Sequence, residues 1–178
     1  STLSEGAVLE RTLTARAGQA DEPTLPSGAA FGVLVHELLE HADFAHLLKV
    51  PSLSALYGDT VMQNHVRQLL ASRFWDPSHV NGVLRLLWNA LRTPVESPGL
   101  AERLTEGFAE LADPHNPQRV SMEVPFVQRL ETASARRSTP AGYLRGVIDM
   151  VFERGDDVFW LDWKTDQLPR YDEATLKA

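Results

Sequence analysis

The sequence predicts an α/β fold in which a helical N-terminal portion precedes a small sheet built around a β-hairpin. Three observations carry that expectation. Residues 28–49 place Phe31, Leu34, Val35, Leu38 and Leu39 at the i, i+3, i+4, i+7, i+8 spacing of a core-facing helical stripe. Residues 78–91 crowd Val83, Leu84, Leu86, Leu87, Trp88 and Leu91 into a mostly buried helix. Residues 144–153 and 158–164 are β-rich runs on either side of Arg154-Gly155-Asp156-Asp157, and Gly followed by Asp is strong hairpin-turn chemistry.

Residues 1–27 mix small, charged and turn-forming residues without a sustained period, and Pro23 and Pro26 close the segment, so it reads as a linker or arm. Ser27 is expected to cap the helix over 28–49. On it His36 lies at the border of the apolar stripe and Glu40 beyond it, i and i+4 neighbours able to reach a site beside the core. The run His36-Glu37-Leu38-Leu39-Glu40-His41 is not a zinc-protease helix, because its second His falls at i+5 rather than i+4. A loop region around Pro51 and Gly58 leads to helices over 60–74 and 78–91. After Pro94, Pro98 and Gly99, the spacing of Leu100, Leu104, Phe108 and Leu111 predicts a further amphipathic helix, ending near Asp113-Pro114. His65, His79 and His115 have no acidic company at ligand spacing and are assigned no role.

Residues 119–128 alternate Val120, Met122, Val124 and Phe126 against Ser121, Glu123, Pro125 and Val127, the pattern of a strand. Pro125 puts that strand at an edge or near its end. Glu123 faces away from Met122 and Val124, free either to join an acidic cluster or to stay solvated. The loop over 132–142 holds Arg136 and Arg137, a basic pair suited to phosphate or simply to solvent.

The hairpin turn sets the register, and with it Asp149 lies opposite Asp162. One face then carries Leu144, Ile148, Met150, Phe152, Phe159, Leu161 and Trp163 and is expected to enter the core. The other carries Val147, Asp149, Val151, Trp160, Asp162 and Lys164. Cross-strand Cβ atoms are about 4.5 to 5.5 Å apart and like charges there repel, so a cation must compensate. Lys164, two residues from Asp162, supplies part of it. A hard divalent ion held by carboxylate oxygens at roughly 2.0 to 2.1 Å is the other candidate. A salt-bridged, solvated strand face is the ordinary alternative, disfavoured because Val147, Val151 and Trp160 flank the acids.

With 178 residues, 43% of them hydrophobic, the chain can bury one sizeable core. No apolar run approaches a membrane span, no signal peptide is visible, and zero Cys excludes disulfides and Cys-ligated metal within these residues. A cytoplasmic location fits. The formal charge of −7 argues against a surface that attracts nucleic acid as a whole, so any such contact must be local or supplied by a partner. The chain opens on Ser-Thr-Leu without Met and stops just after Asp172-Glu173-Ala174 begins a helical pattern, so it is expected to be a piece of a longer polypeptide.

Gly146-Val147-Ile148-Asp149 followed by Leu161-Asp162-Trp163-Lys164-Thr165 resembles the Asp…(Asp/Glu)-x-Lys core of the PD-(D/E)XK nucleases, in the form seen in RecB and AddA/AddB nuclease domains. Gly32-x-x-x-His36-x-x-x-Glu40 and Met122-Glu123-Val124 look like that group's other two elements, in the right order, and the stretch 161–171 is similar to the β subunit of exodeoxyribonuclease V. The resemblance implies a restriction-endonuclease-like core over 28–178 and a divalent-metal-dependent exodeoxyribonuclease. It implies His36, Asp149 and Asp162 as metal ligands, the Trp163 carbonyl as a fourth, Lys164 orienting the attacking water, and Glu123 as a further acidic site residue. Mg²⁺ is the implied ion, with Mn²⁺ a substitute, DNA the implied substrate, and RecC-like and RecD-like subunits the implied partners. The family's downstream Gln-x-x-x-Tyr helix is not matched by Gln167 to Tyr171, which contains Pro169, and is expected beyond Ala178. Two rivals stay open: a catalytically silent docking or DNA-positioning module that keeps the fold, and a standalone exonuclease of the same superfamily.

Overall fold

A computed structural model describes residues 8–12, 25–95, 104–115, 118–130 and 142–164. Among the described residues, five α-helices precede three antiparallel strands, and one N-terminal strand joins them, so the mixed helix-and-sheet class is as expected. The sheet order is β1-β4-β3-β2, with β1 (Val8–Thr12) parallel to β4 (Asp157–Lys164), and β3 (Tyr143–Arg154) antiparallel to both β4 and β2 (Val120–Arg129). The segment read as a linker or arm thus contributes β1, docked by backbone pairing from Val8↔Trp160 to Thr12↔Lys164.

The long N-terminal helix expected over 28–49 is two helices. α1 (Ala29–Glu40) starts at Gly28, whose φ of 94° takes the chain into the helix with no side-chain cap, so Ser27 does not cap it. Its stripe of Phe31, Leu34, Val35, Leu38 and Leu39 is buried as the periodicity predicts. Asp43 interrupts the helix by capping a new one, α2 (Phe44–Lys49), where it accepts the His46 N–H at 2.9 Å. The region read as loop contains α3 (Leu53–Gly58), capped by Ser52. Asp59 caps α4 (Thr60–Ser72) by accepting the N–H groups of Val61 and Met62, both at 3.0 Å. The next helix opens with a 3₁₀ turn at Pro77–His79 and continues as α5 (Val80–Arg92).

The amphipathic helix expected around 100–111 is not α-helical where it is described. Leu104 bridges back to Val95, and Gly107–Ala112 is a 3₁₀ helix; Leu100 lies outside the described residues. Gly107 explains the change. Its φ is 67°, and a Cβ there would sit 2.4 Å from the Leu91 carbonyl oxygen, so the chain turns tightly against the end of α5 in a way only glycine permits. Leu104, Phe108 and Leu111 are buried all the same, Leu104 through its bridge to Val95 and the other two because a 3₁₀ turn can deliver the same side chains to the core.

The hairpin forms in the expected register, from Arg154↔Asp157 around Gly155 (φ 62°) to Met150↔Leu161. Met150, Phe152, Phe159, Leu161 and Trp163 are buried, with Phe108 edge-on to Phe152 and Trp163 at ring separations of 6.1 and 5.6 Å. This aromatic cluster joins sheet to helices in one core, and burying each Phe contributes roughly 1.5–3 kcal/mol. Leu144 and Ile148 depart from expectation: Leu144 is exposed and Ile148 half-buried. The reason is that β3 outruns β4. Before Met150, among the described residues, β3 pairs only with β2, and that pairing runs on to Arg129↔Tyr143. β2 is the edge strand among those described, as Pro125 requires.

Candidate metal centre

The site forms where β3 and β4 separate. Beyond Met150↔Leu161 their backbone ladder stops, and the Asp149 side chain takes its place: Oδ2 accepts the buried Trp163 N–H at 2.5 Å. On the other side, Met122↔Met150 and Val124↔Ile148 keep one register across Glu123, which puts Glu123 at the level of Asp149. Glu123 itself has φ 49°, the left-handed region, so the pairing is interrupted there on β2 as well. A non-glycine residue in that region carries strain and is often found at functional sites.

α1 lies over this notch and lowers His36 into it. His36 Nδ1 is 3.4 Å from Asp149 Oδ1. His36, Glu123 and Asp149 each offer one ligand atom, and these atoms lie within 4.8 Å of one another. Donors sharing an octahedral ion at about 2.1 Å are roughly 3 to 4.2 Å apart, so small side-chain rotations suffice for one ion to take all three. One imidazole and two carboxylates suit a hard or borderline divalent cation such as Mg²⁺ or Mn²⁺. The residues fit the group.

Titration behaviour reflects the same crowding. The hydrogen bond to Asp149 raises the His36 pKa above 6.5 against the opposing effect of burial, helped by the negative charges of Asp149, Glu123 and Asp162. Burial raises the Glu123 pKa, and repulsion from Asp149 and Glu40 adds to it. Burial also works to raise that of Asp149, but His36, the Trp163 N–H and the charge of Lys164 outweigh it and hold the carboxyl below its ordinary 3.8. A divalent ion would relieve both carboxylates at once.

Of the residues singled out from the sequence, His36, Asp149 and Glu123 come together. Asp162 does not enter that group of ligand atoms; its carboxylate is paired with the Lys164 ammonium beside it, though its charge is felt at His36. Trp163 meets the site through its N–H, and its indole is buried in the core beneath. Glu40 lines the open cleft above the cluster, about 650 Å³, together with Val33, Glu37, His41 and Arg73. Arg73 gave no signal in the sequence; it arrives from the end of α4 and is anchored by Glu37 at 2.6 Å. Arg136, Arg137, Thr165 and 167–171 lie outside the described residues.

Residues 7–178 match the PD-(D/E)XK nuclease superfamily, and the chain belongs to it. Membership points to metal-dependent cleavage of nucleic acid, and the match takes in β1 as well as the helices and the hairpin. No curated protein gives a significant match to this chain. No helix among the described residues is long and apolar enough to cross a membrane.

Proposed function

We propose that this chain is the nuclease domain of a RecBCD-type helicase–nuclease, an exodeoxyribonuclease that hydrolyses DNA phosphodiester bonds at a Mg²⁺ site where Mn²⁺ can substitute. The observation that carries the reading is the convergence of His36, Glu123 and Asp149 beside the Asp162–Lys164 pair, in a chain of the nuclease superfamily. When bound, a divalent ion supplies charge for the phosphoryl oxygen and makes hydroxide accessible near neutral pH.

The chain's own residues do the rest. His36 and Asp149 would hold the ion, with Glu123 closing the set; Asp162 and the Trp163 carbonyl would be further ligands. Asp149 is pre-positioned by the Trp163 N–H, which fixes its second oxygen and leaves Oδ1 for the site. Lys164, beside Asp162, would orient the attacking water and offset the charge that grows on the phosphoryl group. RecC-like and RecD-like subunits and a motor in the same assembly would feed a strand to the cleft, in the cytoplasm.

Nicking of single-stranded DNA in Mn²⁺ tests this, comparing the parent chain with Asp162→Ala and Lys164→Ala. Loss of cleavage in both variants supports the reading. Equal cleavage by all three would point to a contaminant or another site, and a folded, metal-binding parent that never cleaves would favour a silent DNA-positioning module.

A further inference from the structure

Phe74 is 99% exposed and has φ 59°, a left-handed backbone in which a bulky non-glycine side chain is strained. Neither property arises from fraying. The Phe74 N–H donates to Ala71 O at 3.1 Å and the Trp75 N–H to Leu70 O at 2.9 Å, so the turn that ends α4 is closed by its own hydrogen bonds. Its two neighbours are both fastened to α1: Arg73 to Glu37 at 2.6 Å, and Trp75 edge-on to Phe31 with ring centroids 5.9 Å apart. Between them Phe74 is pushed into solvent by a turn fixed to the same helix that carries His36. Arg73, the residue before it, lines the metal cleft, as does the exposed Val33 of α1.

A fully exposed Phe held by two clamps, next in the chain to Arg73 of the cleft lining, is a surface shaped for a flat apolar partner. The rest of the cleft says which. Its lining carries Glu37, Glu40, Glu123 and Asp149, and the whole chain has a formal charge of −7, so a nucleic-acid strand gains little from a general positive field. Contact must come from a local cation and from the bases. Arg73 is the cation, with five N–H donors of which Glu37 engages one nitrogen. A base stacked on an aromatic ring is the other attraction, and it is indifferent to sequence because every base has a π-face.

We propose that Phe74 is a stacking platform for an unpaired nucleobase and Arg73 the contact for the adjoining phosphate, together guiding a single strand toward His36, Glu123 and Asp149. This rests on the nuclease reading above and deepens it: bases paired in a duplex are not available to Phe74, so the site takes single-stranded or frayed ends.

The test measures binding apart from cleavage. Affinity of the intact chain for a fluorescent single-stranded oligonucleotide is read by anisotropy in chelator, for the parent, Phe74→Ala and Phe74→Trp, alongside melting temperature. Phe74→Ala should weaken binding about 5- to 150-fold, the range that one stacked base spans, with melting temperature unchanged. Phe74→Trp should retain binding, and its indole fluorescence should be quenched by the oligonucleotide but not by an abasic strand of equal length. A parent chain that does not bind the oligonucleotide, or Phe74→Ala binding as well as the parent, overturns the platform whether or not the chain cleaves. Tight binding to the abasic strand would overturn base stacking and assign Phe74 to a protein partner instead. Binding that depends on Phe74 in a chain that never cleaves leaves the platform standing and removes only the nuclease reading.

Discussion

Asp149 has two jobs that substitution can separate, because one of its oxygens supports the fold and the other faces the cluster. In metal-free protein, Asp149→Ala leaves the buried Trp163 N–H without that acceptor, and an unsatisfied buried donor costs about 1–3 kcal/mol. Loss of the His36 contact adds little, since the imidazole is about a third exposed (32%). Relief of the buried carboxylate and of its repulsion with Glu123 works the other way. The net is a loss of about 1–2 kcal/mol, and at roughly 2–4 °C per kcal/mol for a chain of this size the melting temperature falls by roughly 2–8 °C. Asp149→Asn keeps an oxygen for the Trp163 N–H and should lose under about 1 kcal/mol, while losing the ligand charge as fully as the alanine variant does. Thermal melts followed by circular dichroism in chelator read the difference. An asparagine variant as unstable as the alanine variant, or an alanine variant as stable as the parent, would refute the assignment of Oδ2 to the fold.

Two further outcomes are expected. Asp59 caps α4 and accepts from His46 Nε2 at 2.6 Å, so Asp59→Ala should cost about 1 kcal/mol in urea unfolding near neutral pH; the Met62 N–H, chiefly, holds the folded-state pKa of Asp59 below 3.8, so the contribution is present above that value and the gap between parent and variant should shrink in strong acid as pH falls through the folded-state pKa. A gap unchanged in acid would contradict the cap. In metal-free protein the raised His36 pKa adds stability below 6.5 that is lost as pH rises through its folded value, and the lowered Asp149 pKa adds stability above 3.8 that is lost as pH falls through its own. His36→Gln should therefore lower the melting temperature more at about pH 5 than at about pH 8, and equal losses at both would show that the pair is not formed.

Local chemistry made the hairpin legible: Gly155 in a left-handed turn fixes the pairing of ten residues, and the alternation of Phe152, Phe159, Leu161 and Trp163 follows from it. The α1 stripe was legible for the same reason, since its period is set within one helix. What was hidden is long-range or turns on a single backbone angle. β1 has no alternating pattern, and its parallel partner is some 150 residues away in sequence. The caps Asp43 and Ser52 were visible as residue types, yet the leucine pairs on both sides, Leu38-Leu39 and Leu47-Leu48, masked the break between α1 and α2 at Asp43. At the centre, the sequence placed Asp149 opposite Asp162 but could not show that the strands part there, which sends Asp149 to Trp163 and His36, leaves Asp162 with Lys164, and gives Glu123 the third place.

Mn²⁺ binding in solution tests the cluster most directly. Electron paramagnetic resonance of free Mn²⁺, titrated with the chain, should lose signal in the parent as the ion is taken up, with uptake much weakened in His36→Ala, Glu123→Gln and Asp149→Asn and retained in Glu110→Gln, which lies outside the cluster. Undiminished uptake by all three cluster variants would contradict a shared site built from these side chains.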